Sequence, residues 1–181
     1  MYEVQTFPID GVLHLRPKVF PDKRGSFFEF TKQSDEIKLP EFVQDNISFS
    51  KKNVLRGLHF QKPPFEQGKL VLILEGQILD IAVDIRPNSP TLGQFVSLVL
   101  DSRNNDVIYI PEGFAHGFYV LSEFSKIYYK NTNEYSPEHS SGIIWNDKDL
   151  GIDWPTDSPI LSNADRKHIS FKEYLLEVQI Q

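Results

Sequence analysis

Lys69-Leu70-Val71-Leu72-Ile73-Leu74-Glu75-Gly76, followed at once by Ile78-Leu79-Asp80-Ile81-Ala82-Val83-Asp84-Ile85-Arg86-Pro87, is the stretch of this 181-residue chain on which the class of fold turns. Two short apolar runs, rich in β-branched residues and closed by Gly76 and by Arg86-Pro87, read as consecutive strands. The pattern continues outward. Gln94 to Leu100, Asp106 to Ile110, Phe118 to Leu121 and Ser125 to Tyr129 are similarly short and β-branched or aromatic. Turn formers punctuate them at Asn88-Ser89-Pro90, Ser102-Arg103-Asn104-Asn105 and Pro111-Glu112-Gly113. The 14 Phe, 7 Tyr and 2 Trp suit pleated, half-buried surfaces. Helix signals are few: Ser34-Asp35-Glu36 caps a short turn that Pro40 stops, and Ser170 with Glu173 forms a capping box before a C-terminal helix. Ser136 to Leu150 is turn-rich and reads as a loop lying on the domain. The expectation is an all-β sandwich or barrel of jelly-roll type with a few short helices, a single domain over residues 1–181.

Composition narrows function by exclusion. There is no Cys, so disulfides, thiolate metal sites and thiol nucleophiles are ruled out. A net charge of −6 makes the chain a poor general binder of nucleic acid or anionic membrane. The longest aliphatic run, Leu70 to Leu74, is far too short to cross a bilayer. Met-Tyr-Glu-Val-Gln lacks the basic and apolar regions of a secretory signal, so a cytoplasmic protein is expected.

Against this background, inward-facing polar residues stand out. In Arg56-Gly57-Leu58-His59-Phe60-Gln61, a period of two puts Gly57, His59 and Gln61 on one face and Leu58 and Phe60 on the other. An imidazole and an amide inside a barrel need polar partners or a ligand. Asp80 and Asp84 share one face of an otherwise apolar run, and each must meet a cation, a histidine or water; a solvent-exposed strand end is the alternative for Asp84. In Lys126-Ile127-Tyr128-Tyr129-Lys130, Tyr128 and Lys130 are assigned to one side and Lys126, Tyr129 and Asn131 to the other. A tyrosine facing His59 across a barrel offers a second proton carrier.

Pro111-Glu112-Gly113-Phe114-Ala115-His116 resembles the second motif of the cupin barrels. The first cupin motif would place His-x-His on an earlier strand, and here that slot is His59-Phe60-Gln61. With Val120 at another ligand position, two imidazoles and a neutral amide are a weak metal set, so a cupin-like scaffold without a metal site is expected.

Longer motifs carry a more specific resemblance. Phe20-Pro21-Asp22-Lys23-Arg24-Gly25-Ser26-Phe27-Phe28-Glu29, Gln44-Asp45-Asn46-Ile47-Ser48, Val54-Leu55-Arg56-Gly57-Leu58-His59-Phe60-Gln61, Gln67-Gly68-Lys69-Leu70-Val71 and Gly142-Ile143-Ile144-Trp145-Asn146-Asp147 occur in order. Together with the segments around Asp80 and His116, and with Leu161-Ser162-Asn163-Ala164-Asp165, they make the chain similar to the dTDP-4-dehydrorhamnose 3,5-epimerase family, cupin-type epimerases of nucleotide-linked 4-keto sugars. That resemblance implies an isomerase of sugar-nucleotide biosynthesis for surface polysaccharide, which inverts C3, C5 or both through an enolate. It implies His59 as base, Tyr129 as acid, Lys69 beside the C4 oxygen and Asp165 as partner of the base. Arg56 matches a position near the phosphates, Asp80 and His116 a polar pair lining the cavity, and Arg24, Glu29, Gln44 and Asn46 the nucleotide side, in part from the second subunit of a homodimer. No cofactor is implied, because the ketone is installed by an earlier enzyme.

Three positions depart from the family pattern: Ser140 where many members have Glu, Ala164 where many have Lys, and Glu134 in place of an aromatic residue. They bear on which nucleotide and sugar are held, and both dTDP-linked 6-deoxyhexoses and GDP-linked 4-keto heptoses fit the chemistry. A nucleotide-sugar 3,4-ketoisomerase, a metal-dependent cupin oxygenase and a non-catalytic sugar-binding barrel are the other readings.

Overall fold

Alternation in the sequence becomes two antiparallel sheets packed face to face. The structure is a computed structural model that describes residues 2–32 and 37–179. The turn expected at Ser34-Asp35-Glu36 lies outside the described residues. In chain order the elements are β1 (Tyr2–Thr6), β2 (Leu13–Pro17), β3 (Val19–Asp22), β4 (Gly25–Phe28), β5 (Gln44–Lys51), β6 (Leu55–Gln61), β7 (Lys69–Glu75), β8 (Gln77–Asp84), β9 (Phe95–Asp101), β10 (Val107–Ile110), β11 (Phe114–Val120), β12 (Phe124–Asn131), β13 (Ser140–Gly142) and α1 (Phe171–Gln179). One sheet runs β1-β2-β10-β7-β12-β5, the other β13-β6-β11-β8-β9, and β3-β4 forms a separate hairpin. This is the all-β architecture that the strand pattern predicts, in the cupin-like form that the motif resemblance implies. The strand expected from Phe118 begins earlier, at Phe114, so His116 lies inside β11 rather than at its start.

The period of two sorts side chains into layers. Ile78 and Ala82 of β8, Phe114, Phe118 and Val120 of β11, and Val71, Ile73 and Ile127 from the facing sheet meet between the sheets. Leu58 and Phe60 of β6, with Ile81 and Val83 of β8, turn outward and are covered by Trp154, Phe171 and Tyr174. The capping box forms as expected: the Glu173 N–H donates to Ser170 Oγ at 3.2 Å, and the Ser170 N–H donates to Glu173 Oε2 at 2.7 Å. Such a cap contributes about 1 kcal/mol. It holds Tyr174 where its hydroxyl donates to the Ile85 carbonyl at 2.6 Å and its ring meets Phe60 edge-on.

Both carboxylates of β8 are buried, as an inward face requires. Asp84 stands at the strand end but not in solvent. Burial pushes its carboxyl up, and hydrogen bonds from Arg86, Ser89 and Thr91 outweigh that and hold it down at about 2.

Two side-chain directions differ from the sequence expectation. Lys126 does not share a face with Tyr129: its ammonium lies over the Phe49 ring and 3.7 Å from Glu75 Oε2, outside the barrel. An even-numbered residue of β12 belongs with Tyr128 and Lys130. The second difference is in β6. His59 pairs with His116 and Arg56 with Phe118, so three steps on β6 face two on β11, which is a β-bulge. Gly57 sits at the bulge with φ +131°, and a Cβ there would stand 2.5 Å from Gly117 Cα. Only glycine fits that conformation and that approach. The extra residue reverses the phase of the strand, and Arg56 and His59, three apart, both face the barrel interior.

Candidate active site

Two adjoining chambers open between the sheets, sharing Arg56, His59, Lys69 and Tyr129 in their walls. The inner one, about 150 Å³, reaches down to His116 and Phe118. The outer one, about 520 Å³, is bordered by Gln44 and Asn46 of β5, Asn131, Tyr135, Ser140 and Ala164. A cavity of this size, in which apolar side chains alternate with a few convergent polar ones, suits a small polar ligand.

β6, in the five-stranded sheet, supplies His59. Its Nε2 stands 2.5 Å from Asp165 Oδ1. With the proton on Nε2, the imidazole donates to the carboxylate and leaves Nδ1 free to take a proton. The His59 side chain is 45% accessible, to the cavity rather than to the outer surface, while Asp165 is buried. Burial pushes His59 below the ordinary imidazole value, partly offset by the Asp165 hydrogen bond and charge, and Lys69 pushes it further down. Burial by itself would raise Asp165. The adjacent His168 and the His59 hydrogen bond more than offset it and hold the carboxyl well below the usual carboxylate range.

β12 and β7, neighbours in the six-stranded sheet, supply Tyr129 and Lys69 from the opposite wall. Burial raises the Tyr129 phenol above its ordinary value, with Arg56 pulling slightly down, so it is protonated at neutral pH. Lys69 is buried, and among the described residues no carboxylate lies within ion-pair distance. Burial pulls its ammonium down to about 8, against the charge of Asp80. Arg56 likewise lacks a carboxylate partner among the described residues; its guanidinium donates to Ser50 Oγ and to the Phe49 carbonyl. Two cations without counter-ions in one cavity make a site for an anion or a developing negative charge.

The second polar pair forms beneath them. His116 Nε2 lies 2.8 Å from Asp80 Oδ2, both groups buried, and Asp80 Oδ1 has no hydrogen-bond partner among the described residues. Arg24 and Glu29 are not brought to the cavity by their own chain. Arg24 pairs with Asp22 on the exposed β3-β4 hairpin, and Glu29 pairs with Lys32 at the surface. Gln61, in the slot where a cupin metal ligand would stand, is committed to loops. Its amide donates to the Phe65 and Glu134 carbonyls and accepts from the Ser136 N–H.

Sequence reasoning passed over His168, whose Nε2 lies 3.3 Å from Asp165 Oδ1. The available signal was its spacing: Asp165–Lys167 is a 3-10 turn, in which residues three apart lie one above the other. His59, Asp165 and His168 bring donor atoms within 4.8 Å of one another, the composition of a metal site. Two donors on one tetrahedral zinc ion stand about 3.3 Å apart. The 2.5 Å between His59 and Asp165 is instead the spacing of a hydrogen bond, and the cluster is one that shares protons.

Residues 6–173 match the sequence profile of a family described as dTDP-4-dehydrorhamnose 3,5-epimerase. The chain is 52% identical to the dTDP-4-dehydrorhamnose 3,5-epimerase of Salmonella typhimurium, over 87% of this chain and 88% of that protein. It superposes with a TM-score of 0.90 on the dTDP-4-dehydrorhamnose 3,5-epimerase of Elizabethkingia anophelis, at 42% identity over 95% of this chain and 97% of the other. It also superposes, with a TM-score of 0.88 and 42% identity, on the dTDP-6-deoxy-D-glucose-3,5-epimerase of Legionella pneumophila in complex with dTDP-4-keto-L-rhamnose, over 95% and 94% of the two chains.

Proposed function

The chain belongs to the dTDP-4-dehydrorhamnose 3,5-epimerase family, and on that premise we propose that it inverts C3 and C5 of a dTDP-linked 4-keto-6-deoxyhexose in sugar-nucleotide biosynthesis. The observation that carries the mechanism is the placement of the two proton carriers on different sheets, His59 on one and Tyr129 on the other, with both lining the same chambers. A hexose ring between them presents opposite faces to the two groups. The ketone at C4 acidifies the hydrogens on C3 and C5. His59 Nδ1 removes one of them, and the electron pair moves into an enolate. Lys69, and beyond it Arg56, offset the charge on the oxygen. Tyr129 returns a proton from the other face, which inverts the centre, and Asp165 supports the charged imidazole meanwhile. Asp80 and His116 brace the floor beneath Lys69, and Gln44 and Asn46 meet the nucleotide at the rim.

Incubation with dTDP- and GDP-linked 4-keto sugars in heavy water, followed by NMR at C3 and C5, tests this reading. Solvent deuterium should enter both carbons of the dTDP sugar together with inversion. Exchange confined to the GDP sugar, or movement of the ketone to C3, would replace it with the heptose or ketoisomerase reading.

Activity should have a bell-shaped pH dependence. His59 is a free base only above its depressed value, so kcat/KM falls as pH drops through a point below about 6.5, the ordinary histidine value. Lys69 carries its charge below about 8, so kcat/KM falls again as pH rises through 8. Lys69→Arg keeps a cation at every accessible pH and should abolish the basic limb even where it slows turnover. A basic limb unmoved in that variant would assign it to another group.

The working particle is a homodimer in the cytoplasm. Exposed Phe20 and Phe27 on the β3-β4 hairpin and exposed Ile47 and Phe49 on the edge strand β5 support an apolar interface, and Arg24 and Glu29, in surface ion pairs within their own chain, would turn to the partner's rim there. Light scattering should give twice the 20.9 kDa of the chain. A monomer at micromolar concentration, or recovery outside the cytoplasm on cell fractionation, would overturn the respective part.

A further inference from the structure

Behind the His59–Asp165 pair stands a second imidazole. The His168 side chain is 16% accessible, and its Nε2 is wholly buried without a well-aligned hydrogen bond. That nitrogen lies 3.3 Å from Asp165 Oδ1, the same oxygen that faces His59 Nε2 at 2.5 Å. The place is built for the ring. The 3-10 turn sets His168 over Asp165, and Gly142 of β13 leaves the room, since a Cβ there would stand 2.6 Å from the imidazole. The ring meets His59 edge-on, with centroids 5.4 Å apart. A buried nitrogen without a partner is costly, and the Asp165 carboxylate is within reach of it.

We propose that His168 is a positioning residue for the base: with its proton on Nε2, it shares the Asp165 carboxylate with His59 and keeps His59 less basic than a two-member pair would. The inference rests on the reading of His59 as base. The groups facing His59 are Arg56 from its own strand, Lys69 from β7, Tyr129 from β12, His116 with Asp80 from β11 and β8, and Asp165. Lys69 and Arg56 both favour the neutral imidazole, and among the described residues Asp165 is the carboxylate in contact with it. A carboxylate already occupied by His168 supports the imidazolium less strongly. The base then stands free of its proton at neutral pH and is ready to attack carbon.

Nitrogen-15 NMR of the wild-type protein reads the tautomer directly: a proton on His168 Nε2 is expected, and a bare Nε2 with the proton on Nδ1 overturns the proposal. The pH profile of kcat/KM gives the functional readout. His168→Phe, which keeps a ring but no donor, should move the acid limb upward by about half a pH unit or more. His168→Gln, which keeps an N–H, should stay close to wild type. An acid limb unmoved in His168→Phe, or moved equally in both variants, sinks the proposal, because a purely structural role would change stability without moving that limb. If His168→Phe does not fold, Gly142→Ala takes its place, since its methyl group displaces the ring and should give the same upward shift. Failure of the base assignment itself would appear separately, as solvent exchange that persists in His59→Ala.

Discussion

Replacing His59 with Ala should lower turnover by about 10³-fold or more and abolish solvent deuterium incorporation at both C3 and C5 of the sugar. In the proposed mechanism a single nitrogen, Nδ1, lies in the shared wall of both chambers, while Nε2 is tied to Asp165. Both abstractions then depend on that atom, with the ring of the sugar turning between them. The neighbours cannot take over. His116 is engaged with Asp80 on the chamber floor, and His168 lines only the outer chamber, with Asp165 between its Nε2 and His59. The protein should still fold, because His59 belongs to neither apolar layer and its removal leaves water in a chamber already open. The measurement is proton NMR in heavy water with an unchanged melting temperature as control. Exchange at either carbon near the wild-type rate would rule out one base serving both centres.

Tyr129→Phe should separate exchange from inversion. The phenyl ring keeps the packing of Tyr129 against the inter-sheet core and loses only the phenolic proton. His59 can still remove a hydrogen and return a deuteron from its own face, so exchange at the first carbon should persist within about tenfold, while formation of the inverted product falls by about 10²-fold or more. Burial that raises the phenol keeps the proton available across the working pH range, which is why the wild-type donor should not limit the rate near neutrality. Normal turnover in Tyr129→Phe would hand the acid role to water or to another residue. Equal loss of exchange and inversion would mean that Tyr129 orients the sugar rather than protonating it.

Much of the architecture is readable in Lys69 to Ile85, where inward aspartates interrupt an apolar run and the outward residues of β8 match the layer under α1. The capping box at Ser170 and Glu173 is equally local, since both partners lie within one helical turn. What alternation misses arises where the ladder is irregular or the partner is distant in sequence. Strict period two sends Arg56 away from His59, and only pairing with β11 reveals the bulge that brings it back. Gln61 looks like a lapsed metal ligand until the loops at Phe65 and Glu134 are folded against it. His168 gains its meaning from a 3-10 turn and from the empty space over Gly142, neither of which periodicity encodes. Arg24 and Glu29 have no place in the cavity of one chain, so their matching motif speaks about a surface and not about this chain's interior.

The bulge at Gly57 makes the anion grip a matter of counting rather than of side-chain identity. Deleting that one glycine would leave Arg56 and His59 two apart and still on one face, whereas keeping it and flattening the bulge into regular pleat would rotate the guanidinium of Arg56 into the oily layer beneath α1, with the arginine itself unchanged in the sequence. Among barrels of this design, the presence or absence of the bulge here would therefore separate chains able to clasp a diphosphate from chains that present the same letters and cannot.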